Sequence, residues 1–252
     1  MPQGREPFCA CYANGPLGGS LGEGKHTNGC TPFLYPNNMK KFSLLLILLF
    51  CWNVYSAWGY DVKVGGIYYN LDSDNHTASV TYASVSSYTG DVVVPEEISV
   101  NGTKYAVTSL GNYCFDGCTG LTSITIPSSV TNLERNCFEN CTGLTSITIP
   151  SSVTSLGYGC FAGCSGIAYI KVDANNPVYD SRDNCNAIIE TSTNEMIAGC
   201  KNSHIPSSVT SLGEYCFWDC TGLTSITIPS SVTSLGGSCF YGCTGLYLEP
   251  YN

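Results

Sequence analysis

Five pairs of cysteines, each with three residues between its members, are the side chains in this sequence with the most evident capacity for chemistry. They are Cys114/Cys118, Cys137/Cys141, Cys160/Cys164, Cys216/Cys220 and Cys239/Cys243. Cysteine pairs can hold zinc where two pairs converge, whereas thiol redox motifs usually have two intervening residues. Each pair here brackets a phenylalanine and recurs regularly, as packing residues do, and free cysteine behaves as a small buried hydrophobe. We therefore expect a structural cysteine ladder, with disulfides as an alternative for some pairs, and neither a metal site nor a cofactor.

Two further cysteines, Cys185 and Cys200, have different surroundings. They flank a segment that is typical of a hairpin turning at Ser192 and Thr193. In such a hairpin residues 185 and 200 would face each other, and a cross-strand disulfide has suitable geometry in an exported protein. The sequence therefore predicts a disulfide between Cys185 and Cys200.

The residues needed for catalysis do not form a recognisable group. From Tyr60 onward the only histidines are His76 and His204, and neither lies in a known motif. The serines belong to a repeat and are turn residues, and the acidic residues are scattered over turns. We expect that the protein is not an enzyme.

An internal repeat determines the architecture that must position these residues. The segment Leu121–Val130, LTSITIPSSV, recurs from Leu144 and from Leu223, with a step of 23 residues. The coil at 167–199 carries 10 additional residues. A repeat of this length is typical of a solenoid, in which each coil buries its apolar edge against its neighbours.

Each part of the repeat predicts a local structure. The alternating isoleucines favour a short strand, which Pro127 ends because proline cannot donate a ladder hydrogen bond. Cys137 and Cys141 have helical spacing, which predicts a short helical turn, and Gly143 ends it with the backbone freedom that such a cap requires. We therefore predict an α/β repeat fold in which most of the regular structure is β. Each 23-residue coil contributes one short strand to a single parallel sheet.

The segment before the repeats has a different pattern. Two hairpins are predicted, one turning at residues 72–75 and one at Asn101-Gly102. We interpret residues 60–97 as a β-rich N-terminal cap and residues 98–252 as the solenoid. Asp91–Pro95 is expected to supply the strand of the first coil.

The N-terminal region contains an export signal. Met39-Lys-Lys precedes an apolar run from Phe42 to Trp52, and small residues follow up to Gly59. This order predicts a secretory signal peptide at 39–59, since the run is too short to span a bilayer. Residues 1–38 are either a disordered extension or a mis-assigned start. We expect no membrane span in the mature chain.

The charge of the chain argues against one class of partner. It has 19 acidic and 10 basic residues, a formal net charge of −9. Nucleic-acid affinity comes largely from lysine and arginine on phosphates, so nucleic acid is not an expected partner.

The repeated segment LTSITIPSSVTSLG and the F-x-x-C-x-G-L close resemble the BspA-like leucine-rich-repeat family. The irregular coil at Asn175–Asp180, Cys185–Ile189 and Gly199–Lys201 is also similar to the occasional long coil of that family. The resemblance covers about Tyr60 to the end of the chain. It implies a leucine-rich-repeat solenoid on a secreted or surface protein of a host-associated microbe, and some members are adhesins. The family usually has alanine where this chain has the first cysteine of each pair.

The outward positions of the strands give two columns of side chains. The columns are Ser123, Ser146, Tyr169, Asn202, Ser225, and Thr125, Thr148, Lys171, His204, Thr227. In the expected register Tyr169 lies beside Asn202 and Lys171 beside His204. An aromatic ring, cations and an amide favour ligand recognition here, although sequence drift in the irregular coil is an equal alternative.

Three function classes remain open from the sequence. The first is a binding module, adhering to an extracellular or host protein or glycan. The second is a structural spacer or accessory domain of a cell-envelope assembly. The third, an ice-binding protein, is suggested by the Ser-x-Thr ladders, which Tyr169 and Lys171 interrupt.

Overall fold

A computed structural model of the protein describes residues 59–84 and 86–247. The predictions for residues 1–38, and for the signal peptide apart from Gly59, lie outside these described residues. Strands and tight turns make up the described part, and its only helix there is a single 3₁₀ turn at Arg182–Asn184.

The N-terminal segment forms both predicted hairpins and a third, between its first two strands, that was not predicted. β1 (Val62–Val64), β2 (Ile67–Asp72) and β3 (Thr77–Thr81) are joined by antiparallel pairing. β4 (Gly90–Val93) follows and lies in a separate ladder. β5 (Glu97–Val100) and β6 (Thr103–Leu110) form the second predicted hairpin.

The solenoid has two ladders of short parallel strands where one continuous sheet is predicted. The elements that follow β6 in chain order are β7 (Leu121–Thr125), β8 (Asn132–Leu133), β9 (Ser146–Ile149), β10 (Ser155–Leu156), β11 (Tyr169–Val172), β12 (Tyr179–Asp180), β13 (Ile188–Glu190), β14 (Glu195–Ala198), β15 (Ser211–Leu212) and β16 (Ser234–Leu235). β4 pairs with β7, and β9 pairs with β11. The strands at the LTSITI position of the repeat therefore form two separate pairs. The pairing of β4 confirms that it supplies the strand of the first coil. The prediction of one continuous sheet is wrong.

The second ladder runs through the Ser-Leu part of each coil. β8 and β10 extend the sheet of β1, β2, β3 and β6, with β5 paired to β6. β15 and β16 extend a sheet that starts from β12, β13 and β14. The first coils therefore continue a sheet that begins in the cap.

The cysteine-containing segment of each coil is a series of tight turns, so the prediction of a helical turn is wrong. In the first, second and fourth of these coils, every second amide bonds to a carbonyl three residues back, and the others bond to the next coil. In the first coil the amides of Cys114, Asp116 and Cys118 bond within the coil. The amides of Tyr113, Phe115 and Gly117 bond to carbonyls of the next coil. Two residues per coil have positive φ, namely Tyr113 and Gly117, Asn136 and Asn140, Gly159 and Gly163, Tyr215 and Asp219, and Ser238 and Gly242. Left-handed residues four apart interrupt a right-handed helix.

The core contains a column of stacked phenylalanine rings. Phe115 and Phe138 have ring centroids 5.1 Å apart, and Phe138 and Phe161 are 5.4 Å apart, with nearly parallel planes in both pairs. Tyr88 of the cap packs on Phe115 at 4.8 Å. These three phenylalanines and Phe217 are buried as predicted. Phe240, in the last coil, is half-buried.

The long coil interrupts this column. Phe217 stacks on Phe240 at 5.2 Å and belongs to a second core cluster. The amide of Gly199 donates to the carbonyl of Cys216 at 2.8 Å, and a Cβ on Gly199 would lie 2.2 Å from the Phe217 ring. The end of the β13–β14 hairpin therefore packs on Phe217, where the next ring of the column would otherwise be.

Candidate functional site

The strand face, defined as the two outward columns of side chains, is exposed at all ten positions. Six of the ten positions, all of them away from the long coil, carry the small hydroxyl side chains of serine or threonine. Such side chains provide little shape or charge for recognition. Tyr169 and Lys171 depart from this pattern on β11 and are held in register with Ser146 and Thr148 of β9. The alternation within β11 places Ile170 and Val172 in the core and their neighbours outward.

A cleft of about 500 Å³ lies beside β11, and we call it the long-coil cleft. One wall is formed by residues 169–174 and the other by residues 180–182, 184 and 186. The Val172 amide donates to the Ser181 hydroxyl at 3.0 Å, which fixes the second wall against the strand. The cleft is thus formed by the additional residues of the long coil.

An ion pair orients the second wall of the cleft. The Arg182 guanidinium lies 2.8 Å from an Asp180 carboxylate oxygen and also donates to Asn194 Oδ1 at 2.8 Å. The hydrogen bond with Asp180 raises the pKa of Arg182. The long-coil cleft therefore presents an aromatic ring, two cations, two carboxylates and amides.

The predicted register across the long coil is wrong. The His204 amide donates to the Cys185 carbonyl at 3.1 Å, and Asn186 Nδ2 donates to the Asn202 carbonyl at 3.2 Å. Residues 184–186 therefore lie between β11 and the segment that carries Asn202 and His204. Adjacent strands are about 4.8 Å apart, so the two pairs of predicted site residues are separated by about 10 Å. All four remain exposed on the strand face.

The sequence analysis missed the residues of the intervening segment. Asp183, Asn184 and Asn186 have positive φ of 58°, 53° and 52°. Asparagine and aspartate adopt this region more readily than other non-glycine residues, so the run Asp-Asn-Cys-Asn was the available signal. It indicates a segment that turns back, as this one does to reach the strand face.

The predicted disulfide between Cys185 and Cys200 is not formed, and both are buried free thiols. The hairpin that carries them exists, with Glu190 opposite Glu195. A register shift between Ile188 and Ile189 then displaces the strands by one residue before they reach the cysteines. Cys200 Sγ donates instead to the Asn186 carbonyl at 3.4 Å.

The cysteine pairs are buried in the core as a ladder of free thiols, and only Cys243 is half-buried. The second thiol of a pair donates to the phenylalanine carbonyl of the preceding coil, at 3.0 Å from Cys141 to Phe115 and 2.9 Å from Cys164 to Phe138. Burial raises the pKa of Cys118 to about 11 and that of Cys220 to about 12. Since a thiolate is the reactive form, Cys118 and Cys220 are poor nucleophiles.

Within residues 59–84 and 86–247, no group of three or more histidine, cysteine or acidic side chains is arranged to hold a metal ion. None of the helical structure described there is both long and apolar enough to cross a bilayer.

Stacked coils with a buried core and an exposed strand face define the class of this protein, a leucine-rich-repeat module of the protein-binding type. The family model for the BspA type leucine rich repeat region matches six copies over residues 96–197 and 187–248. The chain belongs to this family. A comparison with curated proteins gives no match.

Several solved bacterial structures are similar to the chain. A leucine rich cell surface protein from Faecalibacterium prausnitzii is 19% identical, with 73% of this chain and 74% of that chain covered and a TM-score of 0.45. A Treponema pallidum leucine rich repeat protein is 18% identical, with 74% and 90% covered and a TM-score of 0.39. A leucine-rich repeat protein from Bacteroides ovatus is 22% identical, with 74% and 70% covered and a TM-score of 0.32.

Proposed function

We propose that this protein is a secreted or cell-surface binding module that adheres to an extracellular protein or glycan and has no catalytic role. The long-coil cleft is the observation that supports this most directly. It replaces the uniform hydroxyl columns with chemically varied, exposed side chains at one place on the strand face. The export signal at 39–59 supports the extracellular location.

The chemistry of the long-coil cleft suits a large ligand. Tyr169 is 62% exposed, and tyrosine contributes strongly to interfaces because its rigid ring combines apolar area with a hydroxyl. Lys171 and the Asp180–Arg182 pair add charges of both signs, which can select among ligands. Asn202 and His204 extend this surface along the face beyond residues 184–186. A protein or a branched glycan could contact both halves at once.

Removal of three of these side chains should weaken ligand binding. A Tyr169→Ala/Lys171→Ala/His204→Ala variant is expected to bind at least tenfold more weakly, about 1.4 kcal/mol, because it removes an aromatic contact and two polar contacts. Binding would be measured on immobilised extracellular-matrix proteins and mucosal glycans. A Ser146→Ala/Thr148→Ala variant, altered in the same columns one coil earlier, should bind as the unaltered chain does.

Two results would argue against this site. Unchanged affinity in a well-folded triple variant would place the ligand elsewhere on the protein. Absence of binding to every member of the panel would favour the role of a structural spacer, for which uniform hydroxyl columns are sufficient.

The proposed export has its own test. Protein recovered from the medium or surface of the producing cell should begin near Tyr60, since a signal peptidase cleaves after small residues such as those before it. N-terminal sequencing measures this directly. A mature protein that retains residues 1–38 would show that the interpretation of the signal peptide is wrong.

A further inference from the structure

A second cleft, of about 320 Å³, lies between residues 156–162 of one coil and residues 213–215 of the coil after the insertion. Residues 195, 197 and 198 of the hairpin form its floor. It shares no lining residue with the long-coil cleft. It exists because the hairpin separates two coils that would otherwise be in direct contact.

Four aromatic side chains form one continuous group that begins at Tyr158 and Tyr215, which line this cleft. The Tyr158 and Tyr215 rings meet edge to face at 4.9 Å, and Trp218 meets Tyr215 in the same way at 4.8 Å. Tyr241 stacks on Trp218 at 4.3 Å. Tyr158 is 42% exposed and Tyr241 is 61% exposed, so the group is open to a ligand. We call the cleft with these four side chains the aromatic cleft.

At the turn position of Trp218 and Tyr241, aromatic residues occur only in the two coils that follow the insertion. In the first two coils the turn position held by Trp218 and Tyr241 is occupied by Asp116 and Glu139. Packing of the coils therefore does not require an aromatic residue at this position.

The charge of the aromatic cleft is one-sided. Glu195 and Glu214 line it, and no lysine, arginine or histidine is among its described lining residues. Gly213 leaves space for one carboxylate, because a Cβ there would lie 2.7 Å from Glu195 Oε1. Neither glutamate takes part in an ion pair in the part of the chain that the structure describes.

The structure also contains a cation that already packs on one of these rings. The Arg135 guanidinium, in the preceding coil, lies 5.6 Å from the centroid of the Tyr158 ring. An arginine over a tyrosine at this distance is attracted by the electron-rich face of the ring. Tyr158 thus already packs against one cation, and it lines the same cleft as the carboxylates of Glu195 and Glu214.

We propose that the aromatic cleft binds a lysine or arginine side chain of a partner protein. The cation would pack against the Tyr158 and Tyr215 rings while the carboxylates of Glu195 and Glu214 neutralise its charge. A neutral sugar could also stack on the rings, but it would leave the carboxylates of the half-buried Glu195 and the exposed Glu214 without a counter-charge. The charge therefore favours the cation. This site is independent of the long-coil cleft.

The test compares two peptides that differ in one charge. Acetyl-Gly-Arg-Gly-amide is titrated into the full chain by calorimetry or NMR, and the same peptide with citrulline in place of arginine serves as its uncharged analogue. We expect the arginine peptide to bind at least tenfold more tightly, and more weakly as salt is raised, because salt screens the carboxylates. This comparison uses the unaltered chain and needs no variant to fold.

Variants then locate the site. Glu195→Gln/Glu214→Gln should reduce affinity for the arginine peptide at least tenfold, and Tyr158→Leu should also reduce it. Glu139→Gln, a turn residue of a regular coil, is the matched control and should leave it unchanged. Equal binding of the two peptides, or no binding of either, would overturn the proposal. Binding of a neutral oligosaccharide that the Tyr158→Leu variant loses, without arginine-peptide binding, would identify a glycan site instead.

Discussion

Replacement of Phe138 by alanine is expected to lower the free energy of unfolding by about 3–5 kcal/mol. Phe138 has no exposed surface and lies between the rings of Phe115 and Phe161. Alanine would leave a cavity in the middle of the column, bounded by rings whose backbones are held by hydrogen bonds between coils. The Phe138 amide itself donates to the Cys160 carbonyl at 2.9 Å, so the backbone cannot collapse easily into the space. The loss therefore includes both the transfer of the ring and the cavity.

Chemical denaturation followed by circular dichroism measures this difference. Thr125→Ala is the control, because Thr125 points outward from β7 and is exposed. It should change stability by about 0.5 kcal/mol or less. Equal losses from the two substitutions would show that the phenylalanine column does not carry the stability of the solenoid.

The sequence was sufficient to predict the inward and outward faces of the coils. The 23-residue step identifies equivalent positions, and Val130 and Leu133 are fully buried where the repeat requires it. The hairpin at Asn101-Gly102 was also predictable, because positive φ at both residues matches a tight hairpin turn. These features depend on local sequence or on the period alone.

The incorrect predictions concern how backbone groups are shared between coils. Cys137 and Cys141 have the spacing of a helix, but Asn136 and Asn140 have positive φ and their amides bond to the following coil. Spacing alone does not distinguish a helical turn from this series of turns, since both bring residues four apart to the same side. Knowledge of the left-handed positions is needed, and they are held by glycine in one coil and asparagine or tyrosine in another.

The register of the candidate site was not predictable for a related reason. The additional residues of the long coil could loop away from the strand face or fold back onto it. Residues 184–186 fold back, and the Cys185 carbonyl accepts the hydrogen bond from the His204 amide. The aromatic cleft arises in the same way, since Tyr158 and Tyr215 are 57 residues apart in sequence and meet only because the hairpin holds the two coils at this distance.

Replacement of Gly143 by alanine is expected to lower the free energy of unfolding by about 1–3 kcal/mol. The sequence analysis assigned Gly143 to a cap that needs backbone freedom, but its φ is not among the positive values. Close approach of the neighbouring coil is the reason instead. A Cβ at this position would lie 2.2 Å from the Thr119 carbonyl oxygen and 3.0 Å from that of Leu121. Both are backbone atoms of the preceding coil, so one of the coils has to move.

Gly237→Ala is the matched control for this substitution. Gly237 is exposed, lacks a positive φ, and its added Cβ would meet only Glu214, with the nearest atom Oε1 at 3.2 Å. That flexible side chain can turn aside, so the change should be within about 0.5 kcal/mol. Denaturation midpoints of the two variants would be measured under one set of conditions. A Gly143→Ala protein as stable as Gly237→Ala would mean that the coils can separate at this point without loss.

The same close contact recurs at Gly166 and Gly245, where a Cβ would lie 2.2 and 2.5 Å from a backbone oxygen of the preceding coil. Alanine at Gly166 should therefore be destabilising in the same way, because the glycine there also lets two coils stack closely.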